Sequence, residues 1–155
     1  IALSVGTILI AVIALVYIVN SILGAISSPF GIDISIESIL GYLFAPIAWL
    51  MGIPWEEAVT SGKLLGIKTT LNEFVAYPAL ANMEYGEISE RSKLITFYSL
   101  CGFANLSSVG ILISGITAMA PERKDDLIKV SLKALVGATL ASCMTGLIVG
   151  IFFYY

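Results

Sequence analysis

The sequence predicts an all-α integral membrane protein in which plain spanning helices alternate with a re-entrant helical hairpin and a discontinuous helix. Three observations carry that prediction. The 155 residues are 58% hydrophobic and 12% charged, with a mean hydropathy of +0.97, whereas soluble domains average about 25% charged. Four uncharged runs, Ile1–Ile26, Ser38–Trp55, Leu94–Ala120 and Ala134–Tyr155, approach or exceed the roughly 20 apolar residues that cross a bilayer. Polar residues, glycines and prolines then interrupt the remaining apolar segments at positions where an ordinary span has none.

The first element, 1–28, is continuous and apolar and reads as a spanning helix. "SSPFGIDIS" (Ser27–Ser35) supplies proline, glycine and a capping serine, so the chain turns there. The second, 29–53, is short for a span, and Pro46 between Gly41 and Gly52 is expected to interrupt it. An interfacial or re-entrant helix fits that length, and Tyr42, Trp49 and Trp55 suit a headgroup boundary.

The third element, 54–83, opens with Pro54, Glu56 and Glu57, which favour a helix start. It then carries Gly62, Lys63, Gly66, Lys68, Glu73 and Pro78, too much polarity for a lipid-facing span. Two half-length helices meeting at a tip near 70–73 account for it, because broken backbone at membrane depth is tolerated only under a protein or aqueous cover. Thr69 and Thr70 are expected to cap that tip, and Lys63 and Lys68 to snorkel or to neutralise acids. The fourth element, 92–120, is apolar at both ends, but "GFANLSSVG" (Gly102–Gly110) is polar and flanked by glycine. It reads as a helix broken near 103–108, with Asn105–Ser108 unwound. The last element, 130–155, is a plain span whose Gly146 and Gly150 suit close helix packing.

Several chemistries are excluded. The chain has no histidine, which removes histidine-based metal sites, triads and proton relays. Its net charge is −3 without a basic patch, so nucleic acid is not a partner. Cys101 and Cys143 lie inside apolar runs and read as small buried packing residues. No nucleophile–base pair stands out, and the protein is not read as an enzyme. Arg123, Lys124, Lys129 and Lys133 between the last two elements outnumber Arg91 and Lys93 before the fourth. The positive-inside rule then puts Pro121–Lys133 in the cytoplasm and the C-terminus on the extracellular or periplasmic side.

Glu73 is the most informative residue. A carboxylate near the bilayer centre costs about 2.5–3.5 kcal/mol on insertion scales, so it must face protein or a cavity. It can form a structural ion pair with Lys68, hold a proton against a backbone group, or bind a hydroxylated ligand or a cation. Asn105, Ser107 and Ser108 likewise serve either as glue between helices or as ligand contacts. Two interrupted helices in one unit are a pointer to a transporter's midplane site, which favours the ligand reading.

"PWEEAVTSGKLLGIKTTLNEFVAY" (54–77) followed by "CGFANLSSVGILISGITAMAPER" (101–123) resembles the C-terminal half of the concentrative nucleoside transporters, and the resemblance covers essentially the whole chain. It implies one inverted repeat of an elevator-type transporter, with a scaffold-like first helix and a homotrimeric full-length protein in the cell membrane. It implies that Glu73, Asn105 and Ser108 bind ribose hydroxyls and that Phe103 packs near the base. The family's first hairpin with its Gln-Thr-Glu motif, and its sodium site, have no counterpart in these residues. The chain, hydrophobic from Ile1 onward, therefore reads as a fragment that binds no cofactor itself, with coupling Na+ or H+ expected in the N-terminal half. The activity implied is cation-coupled nucleoside symport. The alternative is a non-transporting structural or gate-like membrane subunit of the same fold.

Overall fold

The computed structural model describes residues 2–32, 34–84 and 86–153, and among them it is helical with no strand. Residue 1 and the last two residues of the expected 130–155 span lie outside the described residues, as does Asp33 of the first turn. Helix α1 (Ala2–Ser27) is followed by a 3₁₀ turn, Ser28–Phe30. Gly31 closes that turn at φ 67°, a left-handed conformation that glycine adopts without steric cost. Leu15, Tyr17, Ile18 and Ile22 of α1 are exposed, whereas Val16 is buried. Such a surface suits lipid or a further protein layer, not water.

Helix α2 (Ile36–Leu50) starts at Ser35, whose side chain accepts from the Ser38 amide at 3.1 Å. Asn20 of α1 accepts from the Ile36 amide at 2.9 Å and donates to both carboxylate oxygens of Glu37, so it ties the two helices at this end. Pro46 does not interrupt α2 as expected; the helix runs through it. Packing against the next helix supplies the order that the lost amide bond removes. Gly41 and Gly62 lie backbone to backbone there, and a Cβ on Gly62 would strike the Gly41 carbonyl.

Helices α3 (Trp55–Thr70) and α4 (Glu73–Ala81) form a hairpin with only Leu71 and Asn72 between them. Glu56 and Glu57 occupy the first turn of α3, where the helix dipole favours acids. Helices α5 (Glu90–Leu100) and α6 (Leu106–Met119) are two halves separated at Cys101–Asn105. The break therefore lies earlier than Asn105–Ser108: Asn105 caps α6, and Ser107 and Ser108 are already helical. Helix α7 (Lys124–Phe152) begins six residues before the expected 130. Asp125 and Asp126 in its first turn stabilise that start, and Lys124, Lys129 and Lys133 are helical residues.

The core lies where α2, α3, α4, α5 and α7 meet, around Ala48, Leu65, Ala76, Leu80, Ile95 and Leu100. Small residues set the spacing, as expected for helices that associate by close packing. Gly146 of α7 lies against Ser99 and the Ile95 carbonyl of α5, and Gly150 lies against the Ile95 side chain. Arg91, at the start of α5, donates to the carbonyls of Gly52 and Gly150, joining the ends of α2 and α7. Among the described residues two helical stretches, Leu9–Phe30 and Pro121–Phe152, are long and apolar enough to cross a membrane.

Candidate functional site

The hairpin tip and the break between α5 and α6 face one another. Each second half-helix starts with an asparagine cap, a residue whose short side chain accepts from the first-turn amides. Asn72 Oδ1 accepts from the Val75 amide at 3.1 Å, and Asn105 Oδ1 accepts from the Ser108 amide at 2.7 Å. Two helix N-termini therefore converge at one place.

Glu73 is the first residue of α4 and is 7% exposed. Its Oε2 accepts from Asn105 Nδ2 at 2.9 Å, and Asn105 is 1% exposed. Ser107 Oγ donates to the Leu71 carbonyl at the hairpin tip, at 3.2 Å. The two tips are thus joined by hydrogen bonds from residues that also start or extend the helices. Among the described residues the ion pair is Arg123–Asp126, so Glu73 and Lys68 do not form the structural pair considered above.

A carboxylate offers about four lone-pair positions and a carboxamide two N–H donors. With one bond between them, the pair keeps a free carboxylate oxygen and a free N–H, a set that matches a neighbouring pair of hydroxyls. Glu73 also sits in the positive field at the start of α4.

Phe103, Asn105 and Ser108, with Leu112 of α6 and Leu135 and Ala138 of α7, line a cavity of about 130 Å³. Ligand pockets run to roughly 300–1,000 Å³, so this cavity is smaller than a typical one. Phe103 is 71% exposed, free to lie against an aromatic ring. Of the four residues singled out, Glu73 and Asn105 touch, while Phe103 and Ser108 join Asn105 on the cavity wall.

The structure adds Asn72, which the sequence does not single out, and gives definite places to Ser107 and Lys68, which it does. Asn72 fixes the tip, in place of Thr69 and Thr70, whose hydroxyls donate back to Leu65 and Gly66 of their own helix at 2.7 and 2.8 Å. The Asx-cap pattern, Asn followed by a helical run, was the signal available. Ser107 carries the link between tips. Lys68 does not snorkel; it is 1% exposed. Cys101 is exposed, not buried, and accepts from the Tyr77 hydroxyl at 2.9 Å, whereas Cys143 is buried.

Residues 1–150 match the family model described as "Na+ dependent nucleoside transporter C-terminus". The chain is 44% identical over 153 residues to an uncharacterized transporter, YutK, of Bacillus subtilis, covering 98% of this chain and 38% of that protein. It is 40% identical over 156 residues to the nucleoside permease NupC of Helicobacter pylori, covering 97% and 37%. Among solved structures, a CNTnw variant in the intermediate 2 state superposes with a TM-score of 0.91 at 40% identity, over 98% of this chain and 38% of that one. The chain therefore spans well under half the length of these relatives.

Proposed function

Because the chain belongs to the family of Na+ dependent nucleoside transporters, we propose that it supplies the ribose-binding part of a cation-coupled nucleoside symporter. Family members are transporters, not enzymes. The observation that carries the proposal is the Glu73–Asn105 hydrogen bond between two half-helix N-termini. It sets a carboxylate and a carboxamide side by side with one acceptor and one donor to spare, as two adjacent ribose hydroxyls require. Ser108 adds a hydroxyl beside them, and Phe103 offers an exposed face for the base. A site built to bond hydroxyls rejects analogues that lack them.

The hairpin α3–α4 is then re-entrant, and the α5–α6 pair is the discontinuous helix of one inverted repeat. Helix α1 serves as scaffold, and rigid-body movement of the remaining unit carries the ligand across the bilayer. Nucleoside and Na+ or H+ are co-substrates. The cation and the base are read by residues beyond those of this chain, in a homotrimer of the full-length protein. Pro121–Lys133 faces the cytoplasm in this reading, and the C-terminus the opposite side.

The test is isothermal titration of the full-length protein with uridine and with 2′,3′-dideoxyuridine, for wild type and Glu73→Gln. Loss of a hydrogen bond to a charged group costs about 1.5–3 kcal/mol. Uridine is expected to bind the wild type, to weaken by that order in Glu73→Gln, and to bind far better than the dideoxy compound. Uridine affinity indifferent to both changes would leave Glu73 a structural residue of a non-transporting subunit.

A further inference from the structure

Lys68 is the largest of the fully buried side chains and stands in the last turn of α3, five residues before Glu73. Burying an ammonium is costly unless charges or dipoles compensate it. A leucine would fill such a space without that cost, so packing alone does not account for a lysine here. The groups around it come from several elements at once. Its titratable neighbours are Cys143 of α7, Glu73 of α4 and Cys101 at the end of α5. Its ammonium reaches the helix break: a methyl group placed on Gly102 would lie 3.9 Å from Lys68 Nζ. Helices α3 and α5 both end beside it, and helix C-termini carry partial negative charge on their last carbonyls. The ammonium is bound to none of these by an ion pair among the described residues. It lies near a carboxylate and two helix C-termini instead of being paired to one group.

We propose that Lys68 is a tethered cation at the junction of the hairpin and the helix break, and that it positions Glu73 and the Cys101–Asn105 segment for the ligand. A covalently attached charge here does what a bound metal ion does elsewhere. It holds two C-terminal helix ends and a carboxylate together without occupying the carboxylate's hydrogen-bonding positions. Lys68 is accordingly a positioning residue and does not touch the ligand. This role rests on the ribose-binding reading only for its effect on affinity; the effect on the fold is independent of it.

The experiment uses full-length protein in two arms. In the first, melting temperatures are compared for wild type, Lys68→Met, Glu73→Gln and the double variant, without ligand. Methionine keeps the length and apolar body and removes the charge. Lys68→Met is expected to lower the melting temperature, and adding Glu73→Gln to restore roughly half of the loss or more, since charges in one network couple. Should Lys68→Met fail to fold, recovery of a folded double variant supports the proposal, and an unfolded double beside a folded Glu73→Gln overturns it. Strictly additive losses, or a Lys68→Met variant as stable as wild type, also overturn it.

In the second arm, uridine is expected to bind Lys68→Met roughly tenfold more weakly, within the range of coupled neighbours, while 2′,3′-dideoxyuridine binding stays unchanged. Equal loss for both compounds means a general structural defect and counts against the proposal. A wild type that binds no uridine sinks the ribose reading, and the melting arm still decides the role of Lys68.

Discussion

Asn105 bonds in two directions with one side chain. Its Oδ1 accepts from the Ser108 amide at 2.7 Å, and its Nδ2 donates to Glu73 Oε2 at 2.9 Å. The residue that starts α6 is therefore also the residue that fixes the hairpin's carboxylate. The start of α6 and the placement of Glu73 both depend on this one side chain.

Substitutions of Asn105 should separate those two duties. Asn105→Ala removes the cap, a loss of about 0.5–2 kcal/mol, and also deprives the buried Glu73 of its donor. Asn105→Ser keeps a capping oxygen but is too short to reach Glu73. The serine variant is expected to melt above the alanine variant, while both lose uridine affinity in titration. Equal melting points would mean that the cap contributes nothing to α6.

Ser107 and Ser108 should part in the same way, although they are neighbours. Ser107 is buried and donates to the Leu71 carbonyl across the two tips at 3.2 Å. Its replacement by alanine is expected to cost about 0.5–1.5 kcal/mol of stability, read as a lower melting temperature. Ser108 stands on the cavity wall beside Asn105 and Phe103. Ser108→Ala is expected to leave the melting temperature unchanged and to weaken uridine. The reverse assignment of effects would exchange their roles.

How much of this arrangement was readable depended on whether the cause was local. Glu73 and Asn105 stood out because a polar group inside an apolar run has a cost wherever the helix lies. The position of the hairpin tip is legible because glycines and polar residues crowd 62–73 of an otherwise apolar segment, whereas the Asn72 cap that fixes it is not singled out by that polarity. The break in α5–α6 was placed late because Asn105–Ser108 is the polar part of the segment. In the structure those residues build the new helix, and the unwound part is Cys101–Asn105, where Ser142 of another helix approaches Gly102. Pro46 suggests an interruption because a lost amide bond is local, whereas the packing of α2 on α3 that tolerates it is not. Lys68 was expected to snorkel; whether it can depends on what surrounds α3, and it is enclosed.

Gly102 gives a direct test of that close approach. A Cβ there would collide with Ser142 Oγ, and Ser142 Cβ lies 3.0 Å from the same point. Overpacking of this kind typically costs about 1–3 kcal/mol. Gly102→Ala is expected to lower the melting temperature and to weaken uridine, since the break carries Asn105. Adding Ser142→Gly should recover part of both. A Gly102→Ala protein indistinguishable from wild type would mean that α7 does not approach the break this closely.

Arg91 lies far along α5 from the break, and its replacement should affect stability alone. Its guanidinium donates to the Gly52 carbonyl beyond the end of α2 and to the Gly150 carbonyl near the end of α7, the latter at 3.0 Å. Positive charge at helix C-termini is favourable, and hydrogen bonds from a charged donor contribute about 1.5–3 kcal/mol. Arg91→Met retains the apolar stem and removes both bonds, leaving two carbonyls to find other donors. Melting is expected to drop by several degrees, in line with roughly 2–4 °C per kcal/mol for a domain of 150–250 residues. Uridine affinity at a temperature where the variant is folded should stay at the wild-type value, because none of Glu73, Asn105, Ser108 or Phe103 contacts this residue. A loss of affinity without a loss of stability would instead mean that α2 and α7 act on the hairpin through Arg91.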